Sequence, residues 1–255
     1  MKILNELRET GRNPYKYGIE CKRAANKKMV GYFCSYTPEE LIFAADAHPF
    51  RIFGSSEKIQ LSDSHLQSYC CSPVRRALED GLSGQLDFLD GVVFPHTCDS
   101  IQRLSDIWRL NLSFAFHLDV VLPVKLNTES ARAYFTDVIR TFKEDLETVL
   151  QTRISHENLK HAITIYNQIR RGVQRIYELK RNNPDIIKGS DLYHIVRSSM
   201  IVDRNLLPET LNAIVTELES KNHVKSIDRK RLILTGSVCN HPDIYQVIEE
   251  AGGVA

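Results

Sequence analysis

Residues 89–99 read LDGVVFPHTCD, and this stretch decides the fold class predicted from the sequence. Leu89 to Pro95 form a compact apolar run with the character of a buried strand. A polar loop containing Cys98 follows, and a helical pattern then extends from Asp99 to Leu110. The stretch therefore predicts a strand, a loop and a helix in succession, which is the unit from which parallel sheets are built.

Similar units flank this stretch on both sides. Further strands are predicted at residues 29–34, 48–53 and 114–122, and further helices after Thr37 and at residues 72–82. Thr37 is the expected N-cap of the first of these helices, and Gly84 is the expected end of the second. Strands that alternate with helices indicate a parallel sheet, in which ligands meet the loops after the carboxyl ends of the strands. Ser35 and Cys98 lie in such loops.

From residue 127 the pattern changes to long amphipathic helices, and a strand and a helix return after residue 228. The fold class predicted is α/β: a Rossmann-like parallel-sheet domain, a helical insert and the start of a second Rossmann-like domain. The expected domains are residues 1–126, which carry the cysteine loops, a helical segment at residues 127–228, and an incomplete second α/β domain at residues 229–255.

Composition and charge narrow the class of protein. Apolar residues make up 42% of the chain and charged residues 25%, which is typical of a soluble globular protein. With 33 basic and 32 acidic residues, the sequence predicts no nucleic-acid partner. No apolar run is long enough for a membrane span, and the N-terminus does not resemble a signal peptide. We therefore expect a cytoplasmic protein whose six cysteines are free thiols or metal ligands.

Three segments together resemble the family of 2-hydroxyacyl-CoA dehydratases and benzoyl-CoA reductases. They are residues 31–45, around the sequence CSYTPEELI, residues 68–79, around YCCSPVRR, and residues 89–99. Their order and spacing over nearly the whole chain carry the resemblance, and residues 158–167 and 232–237 add to it. The chain resembles the N-terminal part of a subunit, and the resemblance implies that the C-terminal domain of the family is missing from it.

The resemblance implies an oxygen-sensitive enzyme with a [4Fe-4S] cluster held by three cysteines, one iron being left open. Cys71 and Cys98 match the first two ligands of the family, and the third lies in its C-terminal domain. The implied partners are a CoA-thioester substrate, a homologous second subunit in a heterodimer or homodimer, and an ATP-dependent iron-sulfur activator that delivers one electron. Taken alone, each cysteine fits better as a buried, inert thiol than as a metal ligand.

The other candidate residues each have a simpler alternative. Ser35 is a candidate to hydrogen-bond an oxygen bound to the open iron, or it is a turn residue. Glu39 is a candidate acid or base, or it interacts with the helix dipole. His96 is either a metal ligand or a loop residue near the site. Cys70, Cys21 and Cys239 are interpreted as structural.

The function that this resemblance implies is radical dehydration of a 2-hydroxyacyl-CoA to an enoyl-CoA. The β-hydrogen of such a substrate is not acidic, and electron addition to the thioester allows the hydroxyl group to leave and makes the β-proton acidic. The alternatives are reductive dearomatisation in a benzoyl-CoA reductase, and a non-catalytic scaffold or electron-transfer subunit.

Overall fold

The computed structural model describes residues 2–25, 27–55, 58–221, 229–235 and 243–255. The chain divides into two compact units. One consists of residues 18–162, and the other combines residues 1–17 with residues 163–255. The domain boundaries expected at residues 126 and 228 stay predictions.

Strands and helices alternate along the first part of the chain. In chain order they are α1 (Lys2–Arg12), α2 (Pro14–Ala25), β1 (Met29–Tyr32), α3 (Glu39–Ala44), β2 (His48–Arg51), α4 (Ser72–Leu82), β3 (Gly91–Pro95), α5 (Asp99–Asn111) and β4 (Phe116–Val120). A single 3-10 turn at Ser62–Ser64 is also described between β2 and α4. The strands and helices predicted for residues 29–122 are confirmed.

Helices dominate the rest of the described chain. They are α6 (Glu129–Leu150), α7 (His156–Asn182), α8 (Gly189–Ser199), α9 (Leu207–Ser220) and α10 (Asp243–Glu250), with two short strands, β5 (Lys230–Arg231) and β6 (Gly253–Val254). The strand predicted at residues 231–237 is shorter than expected, because β5 ends at Arg231 and residues 232–235 form no strand. The predicted part from residue 236 onward lies outside the described residues. None of the described helices combines the length and the apolar character that a bilayer crossing requires.

Four strands of the first unit form one parallel sheet in the order β2-β1-β3-β4. β1 pairs with β2 on one side, through Met29 and His48, and with β3 on the other, through Val30 and Gly91. The chain thus builds the sheet outward from β1 in one direction and then in the other. This reversal between β1 and β3 is a topological switch point, where open α/β sheets bind their ligands.

Both faces of the central strands are covered. Val30, Tyr32 and Val93 belong to a buried apolar cluster that also contains residues of α3, α6 and α7. Phe33 and Phe94 stack on each other at 4.5 Å and contact the indole of Trp108 on α5. Because both faces are buried, β1 and β3 read as continuous apolar runs, as parallel strands do.

The start of α3 differs from the prediction. We expected the side chain of Thr37 to cap this helix, but its hydroxyl donates a hydrogen bond of 3.0 Å to the carbonyl oxygen of Phe33. Pro38 occupies the N-cap position without a side-chain cap, and the helix begins at Glu39. Thr37 therefore fixes the loop that follows β1 and does not cap the helix.

The second unit has a core of its own. Helix α1 packs against α8, and Leu4 and Leu7 join a buried cluster formed mainly by α7, α8 and α9. The guanidinium of Arg204, in the turn before α9, is almost fully enclosed. β5 and β6 pair in parallel at Lys230 and Gly253. The second α/β domain expected from residue 229 stays a prediction.

A candidate cysteine site at the carboxyl edge of the parallel sheet

Three cysteines follow strands of the sheet or cap the helices next to them. Cys34 lies two residues after β1, and Cys98 lies three residues after β3. The backbone N–H of Phe33 donates to the carbonyl oxygen of Val93 at 3.3 Å. The segment after β1 and strand β3 therefore stay paired beyond the end of β1. The loops that carry Cys34 and Cys98 therefore flank the switch point.

Cys71 and Cys98 occupy equivalent positions in the fold. Cys71 is the N-cap of α4 and Cys98 is the N-cap of α5, and both side chains are exposed. Neither sulfur makes a capping hydrogen bond within the described part of the chain. Both sulfurs therefore lie at the starts of helices that flank the sheet, where they are open to solvent.

The thiol of Cys34 interacts electrostatically with both of these cysteines. Burial raises the pKa of the Cys34 thiol, and the guanidinium of Arg51 and a hydrogen bond with Thr97 only partly offset this effect. The thiols of Cys98 and Cys71 add to the increase, so both lie within electrostatic range of Cys34. Cys34, Cys71 and Cys98 thus interact electrostatically from three separate segments of the chain.

The loop after β1 has an unusual backbone. Cys34 has a φ of 49° and Tyr36 has a φ of 71°, the left-handed region that residues with a Cβ rarely adopt. Nη1 of Arg51, at the end of β2, donates a hydrogen bond to the carbonyl oxygen of Cys34 and holds this conformation. Ser35 lies between the two strained residues with its side chain exposed, and Glu39 opens α3. The roles suggested for Ser35 and Glu39 stay predictions.

A hydrogen-bonded cluster of four polar side chains lies beside the Cys98 loop. Nε2 of His96 lies 2.9 Å from Oδ1 of Asp119 on β4, and the hydroxyl of Ser105 donates to the same oxygen at 2.6 Å. Nε2 of His117 lies 2.8 Å from Oγ of Ser105 and 3.5 Å from Oδ2 of Asp119. Burial alone would raise the pKa of Asp119, but the hydrogen bonds from His117, Ser105 and His96 outweigh it and hold that pKa well below its usual range.

Replacing Asp119 with asparagine should lower the free energy of unfolding at pH 7 by about 1–3 kcal/mol. The reason is that the hydrogen-bond donors Ser105, His96 and His117 lose a charged acceptor. A carboxyl group whose pKa is lower in the folded state stabilises the protein fully only above its unfolded pKa. The difference between wild type and variant should therefore shrink as the pH falls below 3.8, the ordinary value for this carboxyl. Urea unfolding of both proteins between pH 3 and pH 7 measures this difference.

Asp106→Asn is the matched control, because Asp106 forms an exposed pair with Arg109 on the same helix as Ser105. Exposed pairs contribute little to stability, so this variant should track the wild type at every pH. If the loss of stability in Asp119→Asn stayed constant down to pH 3, the lowered pKa assigned to Asp119 would be wrong.

Iron-sulfur chemistry needs thiolate ligands, which cysteines supply. Among the described residues, no group of three or more His, Cys, Asp or Glu side chains is close enough to hold a single metal ion. Cys21 lies elsewhere, 3.8 Å from Nδ1 of His48, and Cys239 lies outside the described residues.

Some of these residues were not identified from the sequence. Cys34 is the last residue of a predicted strand, so its position near a carboxyl end was a usable signal. Arg51 and Asp119 gave no such signal, because their importance depends on which strands are neighbours. Asp119 lies opposite Phe94 in the β3–β4 register, and this pairing is what brings it to His96.

The fold and the site together define an α/β protein of Rossmann type that carries cysteine-bearing loops at its switch point. Comparison with known families makes the assignment specific. The chain belongs to the family described as 2-hydroxyglutaryl-CoA dehydratase, D-component, whose family model matches residues 34–255.

Individual relatives agree with this assignment. The chain is 25% identical over 249 residues to the (R)-phenyllactyl-CoA dehydratase beta subunit of Clostridium sporogenes, covering 98% of this chain and 66% of the relative. It is 29% identical over 234 residues to a benzoyl-CoA reductase subunit of Thauera aromatica, covering 89% and 60%. It is 25% identical over 250 residues to the (R)-2-hydroxyglutaryl-CoA dehydratase beta subunit of Acidaminococcus fermentans, covering 97% and 65%. The chain thus spans less than two thirds of the length of these relatives.

Proposed function

We propose that this chain is an iron-sulfur subunit that takes part in radical dehydration of a 2-hydroxyacyl-CoA to an enoyl-CoA. The observation that carries the proposal is the placement of Cys71 and Cys98 as N-caps of two helices at one edge of the sheet. Membership of the dehydratase family supplies the reaction class, and two of the relatives above are named as dehydratase beta subunits.

Cys71 and Cys98 are the residues that would hold a [4Fe-4S] cluster. When bound, such a cluster supplies a site for one-electron chemistry and a Lewis-acidic iron. Both cysteines lie at the starts of helices, and their exposed sulfurs leave room for a bulky group.

Other residues of this chain have supporting roles in the proposal. Ser35 presents an exposed hydroxyl from the strained loop beside Cys34, suited to donate a hydrogen bond to a substrate oxygen. Glu39, in the first turn of α3, is the candidate to accept or return a proton. Asp119 fixes the ring of His96, two residues before Cys98, and so stiffens that loop.

The proposal includes three partners. A CoA thioester is the substrate class named in the relatives, and a homologous second subunit is included because each of these relatives is itself named as one subunit of an enzyme. An ATP-dependent iron-sulfur activator would deliver the electron, because a low-potential electron has to come from outside this chain.

Reductive dearomatisation of benzoyl-CoA is the second candidate. It is favoured by the 29% identity to the benzoyl-CoA reductase subunit, against 25% for the two dehydratase beta subunits above. Turnover of (R)-2-hydroxyacyl-CoA and of benzoyl-CoA by the chain with its second subunit and activator separates the two reactions.

Replacing Cys71 or Cys98 with serine should remove most of the iron and acid-labile sulfide that the chain binds, because serine retains the shape of cysteine but is a poor ligand for a cluster. The chain is purified without oxygen, reconstituted with iron and sulfide, and analysed for both elements per polypeptide. Cys21→Ser is the matched control and should bind iron like the wild type, since Cys21 contacts His48.

Two results would contradict the proposal. If the variants at positions 71 and 98 kept the wild-type iron content, the cysteines would not be ligands. If the wild-type chain took up no iron even beside its second subunit, the non-catalytic scaffold would be the better description.

A further inference from the structure

We propose that Cys21 and His48 form a reactive thiol–imidazole pair, at which Cys21 is modified by exchange with a low-molecular-weight disulfide. The pair lies at the amino edge of the parallel sheet, because His48 is the first residue of β2. The loop that carries Cys98 follows the carboxyl end of β3, at the opposite edge. The inference therefore does not depend on the proposed function.

The geometry of the pair suits transfer of the thiol proton to the imidazole. Sγ of Cys21, on α2, lies 3.8 Å from Nδ1 of His48, a distance at which a thiol donates to a ring nitrogen. The thiolate is the nucleophilic form of cysteine, so a neighbouring base that accepts the proton activates the sulfur. The two side chains thus have the arrangement of a nucleophile and its general base.

His48 is held in place by the strand that it begins. Its backbone N–H donates to the carbonyl oxygen of Lys28 at 2.8 Å, and it lies opposite Met29 in the β1–β2 register. Only 5% of the residue is exposed. The imidazole therefore has a fixed position beside α2.

An ion pair fixes the end of α2 against the same edge of the sheet. The ammonium of Lys22, the residue after Cys21, binds the carboxylate of Asp90. The same carboxylate accepts a hydrogen bond of 2.7 Å from the backbone N–H of Met29, the strand partner of His48. These contacts connect the helix that carries the thiol to the strand pair that carries the imidazole.

The sulfur of Cys21 is open to a small reactant. The residue is only half-buried, so a small disulfide can approach it from solvent. Free cysteines most often serve as small apolar residues in a core, and the sequence favours that role for Cys21. A packing role requires neither access from solvent nor an imidazole within reach, and Cys21 has both.

The exchange is balanced without a further oxidant. The Cys21 sulfur forms a bond to one sulfur of the small disulfide, the disulfide bond breaks, and the other half leaves as a thiolate. The proton of Cys21 passes to His48 and is then taken up by the released thiolate. A small thiol reverses the step, so the modification follows the ratio of disulfide to thiol around the protein.

The test compares the wild-type chain with His48→Asn. The amide oxygen of asparagine can replace Nδ1 as a hydrogen-bond acceptor but cannot take up the proton, so this variant separates proton transfer from the contact itself. Both full chains are purified without oxygen and exposed to glutathione disulfide. Mass spectrometry of peptides follows the formation of the mixed disulfide at Cys21 over time.

We expect the rate at Cys21 to fall about tenfold or more in His48→Asn, because the thiol loses its general base. Cys70 is the internal reference, since it is also a half-buried cysteine, and its rate should be the same in both chains. Circular dichroism shows whether the variant keeps the native fold.

A measurement on the wild-type chain covers the case in which His48→Asn does not fold. The rates at Cys21 and Cys70 are measured in the native chain and again in urea, where no imidazole is held beside either thiol. The ratio of the Cys21 rate to the Cys70 rate should be higher in the native chain than in urea.

Two results would overturn the inference. If a folded His48→Asn chain formed the mixed disulfide at Cys21 at the wild-type rate, the imidazole would not activate the thiol. If the ratio of the two rates were no higher in the native chain than in urea, Cys21 would be a packing residue. Neither result bears on Cys71 and Cys98, so the proposed function is tested separately.

Discussion

Replacing Gly54 with alanine should lower the free energy of unfolding by about 2–5 kcal/mol. Gly54 has a φ of +73°, and an added Cβ would lie 2.5 Å from the carbonyl oxygen of Pro73 and 2.9 Å from the backbone nitrogen of Ala77. Both atoms belong to the backbone of α4, so no side-chain rotation can relieve the contact. Either α4 moves or the segment that follows β2 changes its path. Thermal unfolding measured by circular dichroism reports the loss of stability.

This substitution should also affect the cysteine site, because α4 carries Cys71 at its start. We expect Gly54→Ala to bind less iron than the wild type even at temperatures where it remains folded. A Gly54→Ala variant with full stability and full iron content would contradict this prediction. It would show that α4 and the segment after β2 can shift without cost.

Gly84→Ala is the matched control for this prediction. Gly84 has a similar φ of +77°, but the nearest atoms to its added Cβ belong to the side chain of Asp87, at 3.2 Å. This variant should therefore show only the cost of the left-handed conformation, about 1–2 kcal/mol. The difference between the two variants isolates the contribution of the contact between Gly54 and α4.

Replacing Arg204 with methionine should destabilise the helical unit by about 3–5 kcal/mol. The Arg204 side chain is 1% exposed, and it donates to the carbonyl oxygens of Val202 at 2.5 Å and Met200 at 2.9 Å and to the hydroxyl of Tyr166 at 3.1 Å. Methionine fills similar space but leaves these buried acceptors without those donors. Urea unfolding measures the change, and hydrogen exchange in α8 and α9 shows where it occurs.

Arg170→Met is the control for Arg204→Met. Both guanidinium groups lie over the ring of Tyr166, at 5.6 Å for Arg170 and 5.7 Å for Arg204, but Arg170 is exposed. The control should change stability by no more than about 0.5 kcal/mol. Equal losses from both variants would mean that the ring contact, and not the buried hydrogen bonds, is what matters.

The local order of helices and strands was largely readable from the sequence. The apolar run at residues 89–95 contains β3, and the helix expected at residues 72–82 matches α4 in full. These elements follow from burial on both faces of a strand and from periodic apolar residues in a helix. The capping role expected for Thr37 is wrong, because its hydroxyl had a competing acceptor in the chain turning back after β1.

The candidate site was only partly predictable. Cys71 and Cys98 came from a family resemblance, and periodicity alone gave no reason to pair them. The position of Cys34 relative to the Cys98 loop depends on β1 being adjacent to β3, which local sequence does not specify. The Asp119 cluster likewise depends on the β3–β4 register, which places two histidines and a serine around one carboxylate.

The separation of β1 and β3 in the chain has a consequence for biosynthesis. Val30 pairs with Gly91, and all of β2 and α4 lies between them, so this contact closes a long loop. A nascent chain leaving the ribosome exposes Cys34 and Cys71 well before β3 is available to bring them near Cys98. If the chain binds the proposed cluster, we expect iron to be delivered productively only after this closure.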